Sequence, residues 1–353
     1  MKEPFFSILL PTRNRSTILG GAIDSVLAQS FGDFEIIVSD NDESPNATAE
    51  VVAKYKDPRV RYVRTSGNLP MHENWENAFV QAQGRHVFVL EDKVRMVPNA
   101  LEILHANLSR LGEVVISFNL TFARGATLNP PQQTPIARPI KSDDAIHMFC
   151  HFEQEFFVIV PKGLDSCAPR KLLQQIKNDS PTGLLFSYIS PDYSSGFMLL
   201  SRVQEYYRID ESLIYIPNNW MWKGQFSNGQ ASYKRTDAYK AFLASLPVKR
   251  DQIIEHVPIK TEFLWINSVI YDFVTLYKKG AGKSRINWVD YFAFCKVLLI
   301  IGRRLGADML EQRAAIAAAL RERGGAFAMQ VQFKFLKRLA GLAIRSAKGF
   351  VRK

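Results

Sequence analysis

One apolar stretch that ends in three charged residues constrains this sequence more than any other feature. Residues 86–90 form a short, nearly continuous apolar run, and residues 98–104 begin a helical pattern after it. This order predicts a buried parallel strand followed by a helix. The strand would end at Glu91, Asp92 and Lys93, and ligands of open α/β sheets bind beyond the carboxyl ends of the strands. The three charges predict a ligand site, although a solvated turn is the better interpretation of such a triplet in isolation.

The first 120 residues alternate between strand and helix patterns. Strands are predicted at residues 5–10, 34–38, 60–63, 86–90 and 114–118, and helices at residues 16–29, 47–55 and 73–83, with Ser16 as the first N-cap. This alternation predicts an α/β fold with a mostly parallel sheet and helices on both faces. Polar clusters follow three of the strands: Pro11-Thr-Arg-Asn14, Asp40-Asn41-Asp42 and Glu91-Asp92-Lys93. They would lie along one rim of the sheet, the usual nucleotide-binding edge.

Charge separates a neutral body from a basic tail. Hydrophobic residues make up 47% of the chain and charged residues 22%, which is ordinary for a globular protein. Residues 281–353 carry 15 Lys and Arg against 4 Asp and Glu, so the tail holds the whole net charge of +11. The beginning of the chain does not resemble a signal peptide, and no apolar run approaches the ~20 residues of a membrane span. The three scattered cysteines indicate a reducing compartment, and we expect a cytoplasmic protein.

The rim lacks the glycine loops that bind most nucleotide phosphates. Neither G-x-G-x-x-G nor a Walker loop is present, so the phosphates of a dinucleotide or of ATP would lack their usual backbone cradle. Carboxylates and amides bind base and ribose edges, while a cation is needed for a diphosphate. An acidic rim without a glycine loop therefore favours a nucleotide sugar.

Several motifs resemble those of the family 2 glycosyltransferases of the GT-A fold. They are Ser7-Ile-Leu-Leu-Pro-Thr-Arg-Asn14, Leu27-Ala-Gln-Ser-Phe-Gly-Asp-Phe-Glu-Ile-Ile-Val-Ser-Asp-Asn41, Gly84 and the acid cluster before Pro98. Ser190-Pro-Asp-Tyr-Ser-Ser-Gly196 resembles the acceptor-side segment of bacterial members. The resemblance implies inverting transfer of a sugar from a nucleoside diphosphate sugar to a glycan or lipid-linked acceptor of the cell surface.

The resemblance also implies roles for residues of the rim. Pro11, Thr12 and Arg13 would line the base pocket, Asp40 or Asn41 would contact the base, and Asp92, with Glu91 beside it, would contact the ribose. In the polar stretch 68–77, Asn74 and His72 are candidates to face the donor sugar. For each of these two alone, a structural role is the more probable interpretation, with Trp75 as a core anchor.

Lys93 departs from the pattern of the family. The acid cluster usually ends in an Asp that holds Mg²⁺ or Mn²⁺ on the diphosphate, and counting back from Pro98 places Lys93 there. An ammonium would repel a metal ion, so we assign no metal ligand and expect no firm cofactor. Lys93 would instead stabilise the leaving diphosphate itself. Two alternatives stay open: a metal-independent transferase, which the intact remainder of the rim favours, and an inactive protein that only binds nucleotide sugar or glycan.

Asp192 is the candidate general base. Inverting transfer to a hydroxyl needs one carboxylate that takes the proton of the acceptor. A Pro-Asp step before the apolar pattern 197–200 places Asp192 at the start of a helix facing the rim. An ordinary N-cap is an equally good interpretation of the sequence alone, and the resemblance favours the base.

The chain is expected to divide near residue 230. A glycosyltransferase domain would cover residues 1–230, with a nucleotide-sugar half at 1–110 and an acceptor half at 111–230, where Trp220 and Trp222 would suit a sugar face. Residues 231–353 would be mainly helical and end in a basic amphipathic helix at 330–353. This helix is typical of an anchor on anionic lipid at the inner face of the cytoplasmic membrane. Packing on the body or on another subunit, which would make an oligomer, is the alternative, and nucleic acid is not expected.

Overall fold

The computed structural model describes residues 3–43, 46–123, 128–186, 189–217, 244, 246, 248–261, 264–277 and 285–351, with side chains up to residue 342. The chain forms two compact units, one of residues 1–145 and 158–225 and one of residues 146–157 and 226–353. Trp220 and Trp222 lie outside the described residues. The predicted domain boundaries at residues 110 and 230 stay predictions.

A nine-stranded sheet forms the centre of the first unit in the described part of the chain. Its strands are β1 (Phe6–Thr12), β2 (Phe34–Asp40), β3 (Val60–Arg64), β4 (His86–Val89), β5 (Arg95–Met96), β6 (Ile116–Phe122), β7 (Arg138–Lys141), β8 (Ser166–Pro169) and β9 (Glu205–Ile216). The strand order is β3-β2-β1-β4-β8-β6-β9-β5, and β7 also pairs with β9.

Strands β1 to β4 are parallel, and their register creates the predicted rim. Thr12 pairs with Asp40 across β1 and β2, while Leu9 pairs with Val89 across β1 and β4. The three carboxyl ends therefore meet at one edge of the sheet. In the second half of the sheet β6 runs parallel to β9, and β8, β5 and β7 join in antiparallel pairs. The predicted α/β fold class is confirmed.

Helices cover the sheet and bury its central strands. They are α1 (Ser16–Leu27), α2 (Ala47–Val52), α3 (Met71–Val80), α4 (Ala100–Leu111), α5 (Ser142–Cys150), α6 (Phe156–Ile159), α7 (Arg170–Asp179) and α8 (Pro191–Arg202). Every residue of β1 and β2 is buried, which explains their continuous apolar runs. The prediction of Ser16 as the N-cap of α1 is wrong. Arg15 occupies that position, because its carbonyl accepts the first helical bonds from Ile18 and Leu19.

Gly84 allows the backbone before β4 to approach β1. A Cβ at this position would lie 2.6 Å from the carbonyl carbon of Phe6 and 2.6 Å from the nitrogen of Ser7. The Gly84 N–H donates to Ser7 Oγ at 2.8 Å, and Ser7 Oγ donates to the buried Glu35 at 2.6 Å. A larger residue at Gly84 would therefore push β1 and β4 apart at their starts.

Helices are the regular secondary structure of the second unit in its described residues. It contains α9 (Arg250–Glu255), α10 (Trp265–Leu276), α11 (Trp288–Arg304), α12 (Leu310–Arg323) and α13 (Gly325–Val351). No described helix is both long enough and apolar enough to cross a bilayer.

Helix α13 packs against α11, and two of its basic residues take part in this packing. Val331 is fully buried, and Lys334 lies 3.2 Å from the buried carboxylate of Asp290 on α11. Arg338 lies 3.5 Å from the same carboxylate and donates to the carbonyl of Phe152 at 2.6 Å. Two cations of the predicted basic amphipathic helix, Lys334 and Arg338, therefore pair with a buried acid of the helical unit.

Candidate functional site

The carboxyl ends of β1 and β4 meet at Asp92, whose side chain is 3% exposed. Thr12 donates its hydroxyl to Asp92 Oδ2 at 2.9 Å, and Arg15 donates to Asp92 Oδ1 at 3.0 Å. Both carboxylate oxygens therefore have a donor within the protein. Thr12 and Asp92 lie 80 positions apart in sequence, and the sheet register brings them together.

Asp92 and its partners form a rigid corner of the rim. Burial raises the pKa of the Asp92 carboxyl, and the attraction of Arg15 opposes that rise. Arg95 donates to the Asp92 carbonyl at 3.0 Å and to the Ile18 carbonyl at 2.9 Å, which ties the strand end to α1. The contact of Asp92 with a ribose stays a prediction.

At the end of β2, the side chains of Asp40 and Asn41 turn inward. Asp40 is fully buried and accepts from the Tyr62 hydroxyl at 2.6 Å and from Arg64 at 2.7 Å. Asn41 accepts from the Leu69 N–H at 2.9 Å and donates to the Leu69 carbonyl at 2.8 Å. These bonds hold the loop after β3 against the rim. Contact of Asp40 or Asn41 with a base stays a prediction, and the geometry gives both side chains a positioning role.

The three residues predicted to line a base pocket differ in exposure. Pro11 and Thr12 are buried in β1, whereas the Arg13 side chain is 43% exposed. Arg13 donates to Glu43 at 2.9 Å and also to Asn68. It therefore belongs to a surface network, and its contact with a base stays a prediction.

Asn74 and His72 lie on α3 behind the rim. Asn74 accepts from Ser39 Oγ at 2.7 Å and donates to the Thr12 carbonyl at 3.2 Å, so it joins the ends of β1 and β2. His72 is 1% exposed, and burial lowers its pKa. Trp75 is buried, as expected of a core anchor. Contact of Asn74 with a donor sugar stays a prediction.

Glu91 and Lys93 form an ion pair immediately after β4. Lys93 Nζ lies 3.0 Å from Glu91 Oε1, and the two side chains are 10% and 24% exposed respectively. Glu91 is thus the most accessible carboxylate of the strand-end cluster, since Asp92 is enclosed by its own partners. A ligand at this strand end would meet Glu91 and Lys93 before Asp92.

A divalent metal does not fit the residues at this strand end. Lys93 stands at the position where a carboxylate is expected, and it already neutralises Glu91. Among the described residues, no three His, Cys, Asp or Glu side chains are grouped to hold a metal ion. We therefore assign no step of the chemistry to a metal.

Asp192 is the second residue of α8, and Ser190 occupies the N-cap position. The Asp192 side chain is therefore not the N-cap that the sequence offered as an alternative. Burial raises the pKa of Asp192, Lys162 lowers it and Glu91 raises it. The Gly163 N–H donates to the Asp192 carbonyl at 3.2 Å and the Gly163 carbonyl accepts from Val89 at 3.2 Å, so the start of α8 is linked to the end of β4.

The structure adds three residues that the sequence analysis did not select: Arg15, Arg95 and Lys162. Arg15 follows the motif 7–14 by one position, so its charge beside that motif was a usable signal. Lys162 had no local signal. Its loop reaches Asp192 only through tertiary packing.

Comparisons with known proteins agree with this architecture. The chain is 29% identical over 136 residues to WcaA of Escherichia coli K12, named as a proposed colanic acid biosynthesis glycosyl transferase, which covers 38% of this chain and 49% of that protein. It is 35% identical over 103 residues to the GalNAc(5)-diNAcBac-PP-undecaprenol beta-1,3-glucosyltransferase of Campylobacter jejuni, which covers 29% of this chain and 33% of that protein. The chain thus matches half or less of the length of these relatives.

The fold and the family are shown by two further similarities. The crystal structure of S. aureus TarS superposes with a TM-score of 0.51 at 13% identity, over 89% of this chain and 55% of that chain, which shows a shared fold alone. The sequence profile of "Glycosyl transferase family 2" matches residues 7–198, more than half of the 353 residues. The chain with this GT-A fold therefore belongs to glycosyl transferase family 2.

Proposed function

We propose that this protein transfers a sugar, with inversion, from a nucleoside diphosphate sugar to a hydroxyl group of a glycan or lipid-linked acceptor. The observation that carries the proposal is that the Gly163 backbone hydrogen-bonds both Val89, at the end of β4, and Asp192, at the start of α8, which supports a position of Asp192 near Glu91 and Lys93. A base and a cation on one rim can act on two different groups: the base on the acceptor hydroxyl and the cation on the leaving diphosphate. Asp192 would take the proton of the acceptor hydroxyl as its oxygen attacks the anomeric carbon. The bond from that carbon to the diphosphate breaks in the same step.

The acceptor class is suggested by the relatives. The Campylobacter jejuni enzyme is named for an undecaprenol-linked acceptor, and WfgD of Escherichia coli is named for a diphosphoundecaprenol-linked one. We propose a lipid-linked glycan of the cell envelope as the acceptor, presented at the inner face of the cytoplasmic membrane.

A donor screen tests the proposed reaction. UDP, GDP and dTDP sugars are incubated with the protein and lipid-linked acceptors, and the released nucleotide is measured. Release of a nucleoside diphosphate that depends on the acceptor supports the transferase. Tight binding of a donor without turnover would support an inactive nucleotide-sugar-binding scaffold. Release of pyrophosphate would indicate a nucleotidyltransferase.

Lys93 is proposed to take the place of the metal that family members use. Its ammonium lies at the strand end with 10% of the side chain exposed, so it can contact a diphosphate after partial release from Glu91. A fixed cation stabilises the negative charge that develops on the leaving group. We expect activity to survive EDTA and to respond little to added Mn²⁺.

Substitutions of Lys93 sharpen this test. Lys93→Ala should lower turnover by roughly 10² or more, since a preorganised electrostatic donor is lost. Lys93→Asp would create a carboxylate pair with Asp92, and its residual activity should become dependent on Mn²⁺. Loss of wild-type activity in EDTA with recovery in Mn²⁺ would instead mean that a metal binds through other ligands.

We also propose that α13 attaches the protein to an anionic membrane surface. Met329, Phe333 and Leu336 are 71%, 61% and 53% exposed, and their spacing places them on one helix face. The Lys337 ammonium lies 5.2 Å from the Phe333 ring, so a cation borders this face. An apolar stripe with bordering cations suits the boundary between lipid headgroups and acyl chains.

Vesicle sedimentation separates this proposal from oligomer formation. The triple variant Met329→Gln, Phe333→Gln and Leu336→Gln should lose binding to vesicles that contain anionic lipid, while Gln330→Ser, at an exposed polar position, should keep it. If vesicle binding persists and sedimentation velocity instead shows a smaller species, the stripe joins subunits and the membrane proposal is wrong.

A further inference from the structure

The loop between α6 and β8 links the end of β4 to the start of α8. The Gly163 carbonyl accepts from the Val89 N–H at 3.2 Å, and the Gly163 N–H donates to the Asp192 carbonyl at 3.2 Å. A Cβ at Gly163 would lie 3.0 Å from Ser195 Oγ on α8, so the loop packs closely on that helix. Gly163 thus joins β4, which Glu91 follows, to α8, which carries Asp192.

The same loop carries an enclosed ion pair. Lys162 Nζ lies 3.0 Å from Asp165 Oδ2, and the two side chains are 17% and 7% exposed. The Lys162 ammonium also lies 5.5 Å from the centre of the Tyr193 ring. Tyr193 is the residue that follows Asp192 on α8. Ser166 Oγ donates to the Lys162 carbonyl at 2.6 Å, which fixes the backbone beneath the ammonium. Lys162 is therefore held rigidly at the start of α8.

Four titratable groups act on the Asp192 carboxylate. Lys162 attracts it, whereas Glu91 on the β4 side and Asp165 in the loop repel it. Tyr193 is the fourth, and its pKa is raised to about 12 by burial, so its phenol is neutral near pH 7. Lys162 is thus the cation that opposes the effect of burial and of two neighbouring carboxylates on the pKa of Asp192.

We propose that Lys162 is a positioning residue that keeps Asp192 ionised, against the repulsion of Asp165 and Glu91, so that Asp192 can accept the proton of the acceptor hydroxyl. A protonated carboxyl cannot take that proton, so a base in such an acidic and enclosed environment needs a fixed cation. This inference rests on the proposed function of Asp192 as the base.

The pH dependence of turnover tests the proposal with variants that act in opposite directions. Lys162→Met removes the attraction, so the acidic limb of the profile moves to higher pH. At a pH within that limb, the turnover of this variant is about tenfold below that of the wild type. At pH values above the limb, the two turnovers are equal. Lys162→Arg keeps the charge and should keep the position of the limb. Asp165→Asn removes a charge that repels the Asp192 carboxylate and that also pairs with Lys162. The acidic limb of this variant should therefore move to lower pH.

A purely structural role of the ion pair would give a different pattern. Both Lys162→Met and Asp165→Asn would then lower turnover at every pH without moving the limb, and the proposal would be wrong. Disappearance of the limb in Asp165→Asn would assign it to Asp165 and would also overturn the proposal. If Lys162→Met does not fold, the double variant Lys162→Met with Asp165→Asn leaves no lone buried charge. Its limb should still move to higher pH, by a smaller amount.

A second measurement does not depend on turnover. The carboxyl of Asp192 is followed by ¹³C NMR of aspartate-labelled protein against pH, with its signal identified by its loss in Asp192→Asn. Lys162→Met should move this titration to higher pH even if the protein turns over no donor, whereas an unmoved titration overturns the proposal. If the titration moves but Asp192→Asn retains full turnover, the influence of Lys162 is real and the base assignment fails instead.

Discussion

Arg13 and Arg15 are two positions apart, yet only Arg15 contacts the buried acid of the rim. Arg15 lies 3.0 Å from Asp92, whose side chain is 3% exposed, whereas Arg13 pairs with Glu43, whose side chain is 58% exposed. An ion pair with an enclosed partner contributes more than one in solvent, because the enclosed charge has no water to replace its partner. Arg15 is therefore expected to stabilise the rim more than Arg13 does, because its acidic partner is buried.

Arg15→Met should destabilise the protein and weaken donor binding. Among the described residues, Thr12 would then be the remaining side-chain donor to the Asp92 carboxylate, at a cost of about 1–2 kcal/mol in the free energy of unfolding after allowance for solvent around Arg15. Arg13→Met is the matched control and should change stability by less than about 0.5 kcal/mol. Urea unfolding and calorimetric donor binding measure both. Equal losses for the two variants would contradict this ranking of the two arginines.

Asp192→Asn should lower turnover by roughly 10² or more while donor affinity stays near that of the wild type, because shape is kept and the proton acceptor is lost. Asp144→Asn is the control, since Asp144 is an exposed acid in the first turn of α5 and shares the position at a helix start. Steady-state release of nucleoside diphosphate at saturating donor and acceptor measures the effect. Near wild-type turnover of Asp192→Asn would remove this residue from the mechanism.

Strand β4 begins with a histidine that the core keeps neutral. His86 is 1% exposed and stacks on Phe5 with ring centres 5.0 Å apart. Burial lowers its pKa to about 4, although Glu113, at 3.6 Å, acts in the opposite direction. The strand that ends at the candidate site is therefore sensitive to acid at its other end.

The stability of the protein should fall as the pH drops from about 6.5 to about 4. Over this range the unfolded chain binds a proton at residue 86 and the folded chain does not, so the free energy of unfolding rises with pH. The contribution of His86 is about 3 kcal/mol. His86→Phe should remove this part of the acid sensitivity, measured as unfolding midpoints at pH 7.5 and 4.5, with His147→Gln at an exposed position as control. Identical acid losses in His86→Phe and the wild type would contradict the assignment.

At the scale of the whole molecule, charge is distributed unevenly and part of the basic tail is used internally. Lys334 and Arg338 of α13 balance the buried Asp290, so these two cations stabilise the helical unit. Met329, Phe333 and Leu336 of the same helix are exposed, and they are the residues of the proposed membrane contact. Helix α13 would therefore combine a face that packs on α11 with the proposed membrane-binding face.

Deletion of residues 330–353 should both release the protein from anionic vesicles and destabilise the helical unit. Asp290 would lose two cations and the contacts of the buried Val331 would disappear, at a cost of about 2 kcal/mol or more. Calorimetry of the deletion should show a lowered transition, while donor binding by the first unit persists. An unchanged transition would mean that α13 contributes nothing to folding and serves attachment alone.

The sequence by itself determined the α/β fold class, the rim and the family motifs. Strand and helix periodicities are local properties of the chain, and the register of parallel strands then brings Thr12, Asp40 and Asp92 to one edge without further information. The departure at Lys93 was visible for the same reason, since its distance from Pro98 is fixed along the chain.

Only the tertiary structure decided which side chains face inward and which charges meet. Asp40 and Asn41 stand at a strand end like Glu91, yet their hydrogen bonds to Arg64 and Leu69 enclose them. Lys162 and Asp192 lie in separate elements, and packing of the Gly163 loop on α8 brings them together. Such contacts depend on side-chain packing and burial between distant segments, which local periodicity does not encode.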